Sequence, residues 1–458
     1  MIENDAFKLL LINLFHLNPD DITNIVCTTF NKMMVLLVTL ADKHQACPYC
    51  GFTAPKIKEY VTKEITHSAL TTQKCIIKYR ARRYKCSCCG KTYYEFNPFV
   101  FKSQKISILT VHNILKDLKD FNETFTSVAR RYHVSPTSVS TIFDKHVDIG
   151  RNPLPEIINF DEVYAFKSEK SKYVCVLLDF KKQIPVDVLP NRKKEYLLNY
   201  FQKIPLEERK KVKYACSDMY EVYRDVVHKV FPSCCMLLDY FHLSQDFHRK
   251  MNEVRIKVMK GYKDNKASDE YYLLKKFNWL LFKNPEDEDK YGRLFDVERE
   301  RKYNSHFKSY MNYYDLRKKL LEINNDLTIC YSLKLELVDF YSKSTIDNAK
   351  VNLENLIRSC IDTNIDEMIA FSNNLINWKQ EIINSFTIVG TEYKVEADKG
   401  QVVVCNKKVN NAIIENRNKI VKCIKNNANG YTNWSRFRNR VMYVLDPNAT
   451  FSLEPREK

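Results

Sequence analysis

Apolar residues recur along this chain with different periods, and each period predicts a different kind of element. Between Leu154 and Asp239 they come in short runs: Ile157-Ile158-Asn159-Phe160-Asp161, Tyr173 to Asp179, Gln183 to Leu189, Val212 to Asp218, and Cys235 to Asp239. Runs of this length predict five strands, the first three as an antiparallel meander. Lys193 to Gln202 and Met219 to Phe231 carry helical spacing and fall between the later strands. The stretch from His242 to Gly400 is charged and helical in pattern, and Thr387 to Val404 alternates like a small hairpin. Trp279, Trp378, Tyr271, Tyr272, Phe277 and Phe282 read as core aromatics of that stretch, with base-stacking platforms as the alternative.

Further on, Asn411 to Lys425 predicts one more helix. Ile413, Ile414, Ile420, Val421 and Ile424 suit one face. Glu415, Asn418, Lys419 and Lys422 recur at i, i+3, i+4 and i+7 on another. Glu415 is the only acid between Lys407 and Arg440, a stretch that holds nine Lys and Arg. An amphipathic surface helix accounts for the pattern. So does a basic stripe along phosphates in which one carboxylate holds a divalent metal.

The order β-β-β-α-β-α-β is that of the ribonuclease H fold, whose first and fourth strands lie side by side. That adjacency brings Asp161 and Asp218 within reach of one pair of metal ions, and Glu415 can complete the cluster. Phosphodiester cleavage without a covalent intermediate uses two Mg²⁺ (or Mn²⁺) ions roughly 4 Å apart, and such hard cations take oxygen ligands. Glu162 adjoins Asp161, but neighbours on a strand face opposite ways, so one of the two joins the cluster; the expectation is Asp161. Asp179 and Asp239 also end strands and read as caps or supporting groups. A helix cap is the plain alternative for Asp218.

Two further signals precede the strands. Thr126 to Phe143 predicts a helix-turn-helix. Val128, Ala129 and Tyr132 form one apolar face, Ser135 caps a second helix with Pro136 at its first position, and Val139, Ile142 and Phe143 are buried. Thr137, Ser138 and Thr141 then face outward, suited to DNA; a helical hairpin bridging two domains is the alternative. Before it, Cys47-Pro48-Tyr49-Cys50-Gly51 and Cys86-Ser87-Cys88-Cys89-Gly90 form two C-x-x-C knuckles. Four thiolates from two tight turns suit a closed, structural Zn²⁺ site of Cys47, Cys50, Cys86 and Cys89; Cys88 can replace Cys86 or Cys89 only by breaking the spacing. Val61 to Lys85 looks like the strands of a zinc ribbon. Lys74 to Tyr94 holds seven Lys and Arg, Arg82 and Arg83 among them, and no acid, which suits a grip on nucleic acid.

Composition agrees. The chain has 458 residues, enough for several domains, and a formal charge of +17 that points to a polyanionic partner. No apolar stretch approaches a membrane span, so no membrane partner is expected. The start, Met1-Ile2-Glu3-Asn4-Asp5, has no export pattern, and the 15 cysteines are scattered. Reduced thiols in a cytoplasmic protein are expected.

In order, the paired knuckles with Arg83-Tyr84-Lys85-Cys86, the helix-turn-helix, Asp161-Glu162, Asp218-Met219 with Tyr223, Phe231-Pro232, and Asp239-Tyr240-Phe241-His242 form a long ordered set. Asn411 to Asn418, Gly430-Tyr431-Thr432-Asn433 and Phe437-Arg438-Asn439-Arg440 complete it. From Cys47 to Leu445 the chain resembles the ISL3 family of bacterial insertion-sequence transposases. It departs at Ala412 and Asn416, where glycine is usual, and at Asn426, where a basic residue is. The resemblance implies a DDE transposase with Asp161, Asp218 and Glu415 as catalytic triad, and an all-helical insertion before the Glu415 helix.

The fold class expected is α/β plus all-α, a ribonuclease H-like core interrupted by a helical insertion and preceded by a zinc ribbon and a helix-turn-helix. In residues this means an N-terminal helix and strands (1–40), ribbon (41–100), helix-turn-helix (101–148), first part of the core (149–248), insertion (249–405), terminal catalytic segment (406–445) and a loose tail (446–458). The expected partners are the double-stranded DNA of terminal inverted repeats and target, bound by a homodimer or larger assembly in the cytoplasm, nucleoid-associated when on DNA. Lys419 and Lys422 are expected to meet phosphates. A domesticated, non-catalytic DNA-binding protein and a nuclease without strand transfer are the rival readings.

Overall fold

The computed structural model describes residues 2–43, 45–68, 72–101, 104–166, 171–395 and 402–456. The architecture is mixed α/β. It begins with α1 (Ile2–Leu14) and a sheet of β1 (Ile22–Phe30), β2 (Met33–Leu40), β3 (Lys56–Thr66), β4 (Cys75–Lys85) and β5 (Thr92–Tyr94). The sheet order is β1-β2-β4-β3, with β5 on β4. Because β2 and β4 pair in parallel, from Met34 with Cys75 to Val38 with Tyr79, this one sheet runs across residue 40. Leu11, Ile12, Phe15, Leu36, Ile77 and Phe99 form its core.

Helices α2 (Ile108–Asp117), α3 (Phe125–Arg131) and α4 (Pro136–His146) follow. Their boundaries are set by local chemistry. Thr124 and Ser127 make a capping box at the start of α3, and the Ser135 hydroxyl accepts from the Ser138 N–H with Pro136 in the first turn of α4. Val128, Ala129, Tyr132, Val139, Ile142 and Phe143 are all buried in one cluster.

The second sheet is made of β6 (Ile157–Val163), β7 (Val174–Asp179), β8 (Pro185–Leu189), β9 (Tyr214–Ser217) and β10 (Cys235–Leu238). Its order is β10-β9-β6-β7-β8. Strands β6, β7 and β8 run antiparallel; β9 lies parallel to both β6 and β10. Between them come α5 (Lys194–Gln202), α6 (Leu206–Arg209) and α7 (Glu221–Val230). Every residue of β7 and β8 is buried, since helices cover both faces. Ile158, Phe160, Cys175 and Leu177 pack on α5 and α7. Val163, Val174, Val176 and Leu178 pack on the opposite side, against α15 (Ala412–Asn427) and α16 (Trp434–Leu445).

After β10 the chain leaves the sheet through α8 (Tyr240–Lys260) and α9 (Asp269–Lys276). It continues through α10 (Tyr313–Glu322), α11 (Asn325–Lys343), α12 (Ala349–Asp362), α13 (Asp366–Asn377) and α14 (Lys379–Asn384). This insertion has its own core, in which Trp378 is 3% exposed and Trp279 is partly buried, so both tryptophans pack rather than stack on a partner. The insertion is not all-helical. Two antiparallel ribbons, β11 (Glu288–Asp289) with β12 (Gly292–Arg293) and β13 (Lys302–Asn304) with β14 (Ser309–Met311), fold into it. The anticipated hairpin is β15 (Ile388–Val395) with β16 (Val402–Lys408). Asn384 donates its amide to the Met236 carbonyl (2.9 Å), so α14 covers the edge strand β10.

Helix α16 ties the sheet to α2–α4. Arg438 donates to Asp187 (2.7 Å) and to the Ile149 carbonyl (2.7 Å). Arg440, 1% exposed, donates to the carbonyls of Asp120 and Glu123 (2.8 Å each), and Arg436 pairs with Asp144. Residues 449–456 of the expected loose tail are docked. Ala449 and Phe451 pack against the α2–α4 cluster, and the Ser452 carbonyl lies 2.7 Å from Nδ1 of His146.

Candidate metal and nucleic-acid sites

The four knuckle sulfurs converge. Cys47 and Cys89 lie 3.7 Å apart, Cys50 and Cys86 3.5 Å, and all four within 4.8 Å of one another. Tetrahedral ligands 2.3 Å from a zinc ion sit roughly 3.8 Å apart. Each knuckle closes on a glycine that needs a left-handed backbone, Gly51 at φ +74° and Gly90 at φ +69°. The backbone N–H of Cys89 leads the groups that hold the Cys86 thiol down at about 7. Cys88 is exposed and outside the group.

Strand period places the acids of β6. Asp161 lies on the α15 side of the sheet and Glu162 on the α7 side. Glu162 pairs with Arg192 and accepts from the Tyr223 hydroxyl (3.3 Å). Two asparagines of the α15 segment then fix the helix against β6. The Asn159 amide donates to Asn411 Oδ1 (2.6 Å), Asn411 donates to the Phe160 carbonyl (3.2 Å), and Asn418 donates to Asp161 Oδ2 (2.7 Å). Glu415 sits between these two contacts, one turn from each.

Around Glu415 the structure gathers two groups outside the expected triad. His242 Nε2 lies 3.8 Å from Glu415 Oε1 and 3.8 Å from Asp239 Oδ2. Asp239, His242 and Glu415 offer ligand atoms within 4.8 Å of one another. His242 also acts electrostatically on both Asp161 and Asp218, so all five groups face one region. Burial raises the Asp161 carboxyl to about 6, with the Asp218 charge adding to the rise. Burial likewise raises Asp218 to about 6, with Glu162 next among the raising causes, and it raises Asp239. Desolvation therefore outweighs like-charge repulsion as the cause. One carboxylate oxygen of Asp218 and Nε2 of His242 are buried with no hydrogen-bond partner.

The sequence reading takes Asp239 as a cap or supporting group and gives His242 no role of its own. Their i, i+3 spacing at the start of α8 was the available signal. Asp179 is a turn cap as read, accepting from the backbone of Lys181 (2.9 Å) and Lys182 (3.0 Å).

Of the basic and hydroxyl residues singled out for DNA, Thr137, Thr141, Lys419 and Lys422 are exposed. Ser138 is half-buried, its hydroxyl 2.8 Å from that of Ser135. Arg83 pairs with Glu59. Arg82 does not offer its guanidinium to solvent: the side chain is 14% exposed and turned onto Glu95 (2.7 Å) and the carbonyls of Leu40 and Ala41.

A buried acidic cluster thus lies on a five-stranded mixed sheet, beside a basic helix. Residues 158–397, more than half the chain, match the ISL3-type DDE family described as transposase, and the chain belongs to that family. It is also similar to the transposase for insertion sequence element IS1001 of Bordetella parapertussis, 19% identical over 409 residues, covering 89% of this chain and 90% of the relative. Asp161, Asp218, Asp239 and His242 lie inside the family match, whereas Glu415 lies beyond it. No helix among the described residues is long and apolar enough to cross a membrane.

Proposed function

We propose that the chain is an active DNA transposase whose second sheet is a ribonuclease H-like core and whose triad is Asp161, Asp218 and Glu415. The carrying observation is that Glu415, 197 positions beyond Asp218 (415 − 218), stands beside β6 on an asparagine-pinned helix. An acid delivered across such an insertion to buried aspartates suits a metal-binding triad better than a surface helix. The donor set is carboxylate oxygen, with Asp161 and Asp218 raised in pKa by burial and one Asp218 oxygen left without a partner, which suits Mg²⁺ or Mn²⁺.

When bound, such ions stabilise the charge that builds on the phosphate oxygens. Asp161, Asp218 and Glu415 would hold them, and Asn418 fixes the orientation of Asp161. Lys419 and Lys422, on the exposed side of the same helix, meet DNA phosphates. Water attacks the phosphorus at each element end and the 3′-oxygen leaves as a hydroxyl. That 3′-hydroxyl then attacks a target phosphodiester, whose own 3′-oxygen departs. The Cys47, Cys50, Cys86 and Cys89 site holds a structural zinc, and α3–α4 with the basic ribbon reads the terminal repeats. Two ends held together imply at least a dimer on DNA, acting in the bacterial cytoplasm.

The test uses end-repeat DNA, target plasmid and Mg²⁺. Wild type cleaves and joins, while Asp161→Asn and Glu415→Gln each lose both steps and still bind end DNA. Cleavage without joining identifies a nuclease, and binding without cleavage in the wild type identifies a domesticated DNA-binding protein.

A further inference from the structure

The triad leaves Asp239 and His242 without a role, although both stand in the same pocket. Asp239 follows β10 directly, at the start of α8, and is 4% exposed. His242 is one helical turn further along α8, so the sheet edge fixes both. Its Nε2 has no hydrogen-bond partner and no solvent contact, yet it lies 3.8 Å from a carboxylate oxygen of Asp239 and 3.8 Å from one of Glu415. A buried ring nitrogen left so is unfavourable unless something occupies the space between. The three ligand atoms lie within 4.8 Å of one another, so small side-chain movements bring them to the roughly 3.0–4.2 Å separations of ligands around one octahedral ion.

We infer that Asp239, His242 and Glu415 form a nitrogen-containing metal site, with His242 Nε2 as a direct ligand beside the ion held by Asp161 and Asp218. This rests on the triad reading and deepens it: Glu415 is shared, and the pocket uses five protein groups rather than three. An imidazole in an otherwise oxygen set favours Mn²⁺ over Mg²⁺, so this site is the Mn²⁺-selective one of the two.

The experiment is Mn²⁺ binding to full-length, zinc-loaded protein without DNA, read by electron paramagnetic resonance. Free Mn²⁺ gives stoichiometry and affinity; electron spin-echo modulation reports any ¹⁴N nucleus bound to the ion. Wild type is expected to bind two Mn²⁺, one showing imidazole ¹⁴N coupling. His242→Ala should lose that coupling and weaken one site tenfold or more. Wild type with bound Mn²⁺ but no ¹⁴N coupling, or coupling that survives His242→Ala, overturns the inference, and the wild-type spectrum decides even if a variant misfolds. Asp161→Asn separates the two readings. If it weakens Mn²⁺ binding while His242→Ala changes nothing, the triad stands and the histidine ligand does not. Wild type that binds no Mn²⁺ at millimolar concentration overturns both.

Discussion

Replacing Asp161 by asparagine should stabilise the metal-free protein at neutral pH while removing its activity. Burial lifts the folded carboxyl from 3.8 to about 6. Protonation therefore favours the folded state, so stability is greatest below the unfolded value and is lost as pH rises through 4 to 6. A shift of roughly two pH units, at about 1.36 kcal/mol per unit, makes the ionised Asp161 unfavourable by roughly 3 kcal/mol above pH 7. Asparagine has no such charge. It keeps an acceptor for either the Asn418 amide or the Glu162 N–H, which both point at Asp161, and losing the other bond offsets about 1 kcal/mol. The net gain near pH 8 is roughly 2 kcal/mol, or roughly 4–8 °C for a unit of 150–250 residues. Thermal unfolding of both proteins from pH 5 to 8, zinc-loaded and without Mg²⁺, reads it. The advantage of Asp161→Asn should widen with pH, since about half the full effect develops across that window. Adding Mg²⁺ at pH 8 should raise wild type alone and narrow the gap. A difference that is constant with pH, or a variant less stable throughout, would refute the burial argument.

Three other outcomes follow from the geometry. Cys89→Ser should release the zinc and unfold β3–β5, because structural zinc contributes about 10–16 kcal/mol of folding free energy, while Cys88→Ser keeps one zinc per chain by metal analysis. Asn418→Ala should cut end cleavage roughly 10–100-fold with end-DNA affinity unchanged in a gel-shift assay, the size expected when a group orienting a metal ligand is lost. Arg440→Met removes two charge-assisted hydrogen bonds to the 120–123 loop and should destabilise the junction of α2–α4 with α16 by roughly 2–4 kcal/mol, seen as faster proteolysis between residues 118 and 124.

What the sequence disclosed is what period and short spacing encode. Alternation on β6 separated Asp161 from Glu162, because only strand parity was needed. The i, i+3, i+4, i+7 face of α15 was visible, as were the Ser135 cap and the cysteine knuckles, all being contacts within a few residues. What stayed hidden depends on partners distant in sequence or on elements too short to show a period. His242 meets Glu415 across 173 positions (415 − 242). Arg82 looked like a phosphate contact because its partner Glu95 lies just past the acid-free stretch and comes close only when the chain folds back on β4. The ribbons at residues 288–293 and 302–311 have strands of two and three residues, shorter than any period that could reveal them.

The insertion raises a question of precision that its length alone does not answer. Tethering α15 through so long an excursion costs little in chain entropy, since each doubling of a loop adds only about 0.6 kcal/mol, and the insertion has its own core. Length is thus cheap, but it leaves the register of α15 on the sheet unspecified. Apolar packing of Ile414, Val421 and Ile424 holds the helix to the sheet, yet similar apolar side chains tolerate sliding and rotation. The Asn159–Asn411 and Asn418–Asp161 bonds do not, because a shift of one residue would leave buried amide and carboxylate groups unpaired on both elements. Two polar contacts seven positions apart on α15 fix both translation and rotation, and Glu415 lies between them. On this argument the asparagines, rather than the apolar face, decide where the third acid stands, so Asn411→Ala with Asn418→Ala should leave a folded helix whose carboxylate no longer meets His242.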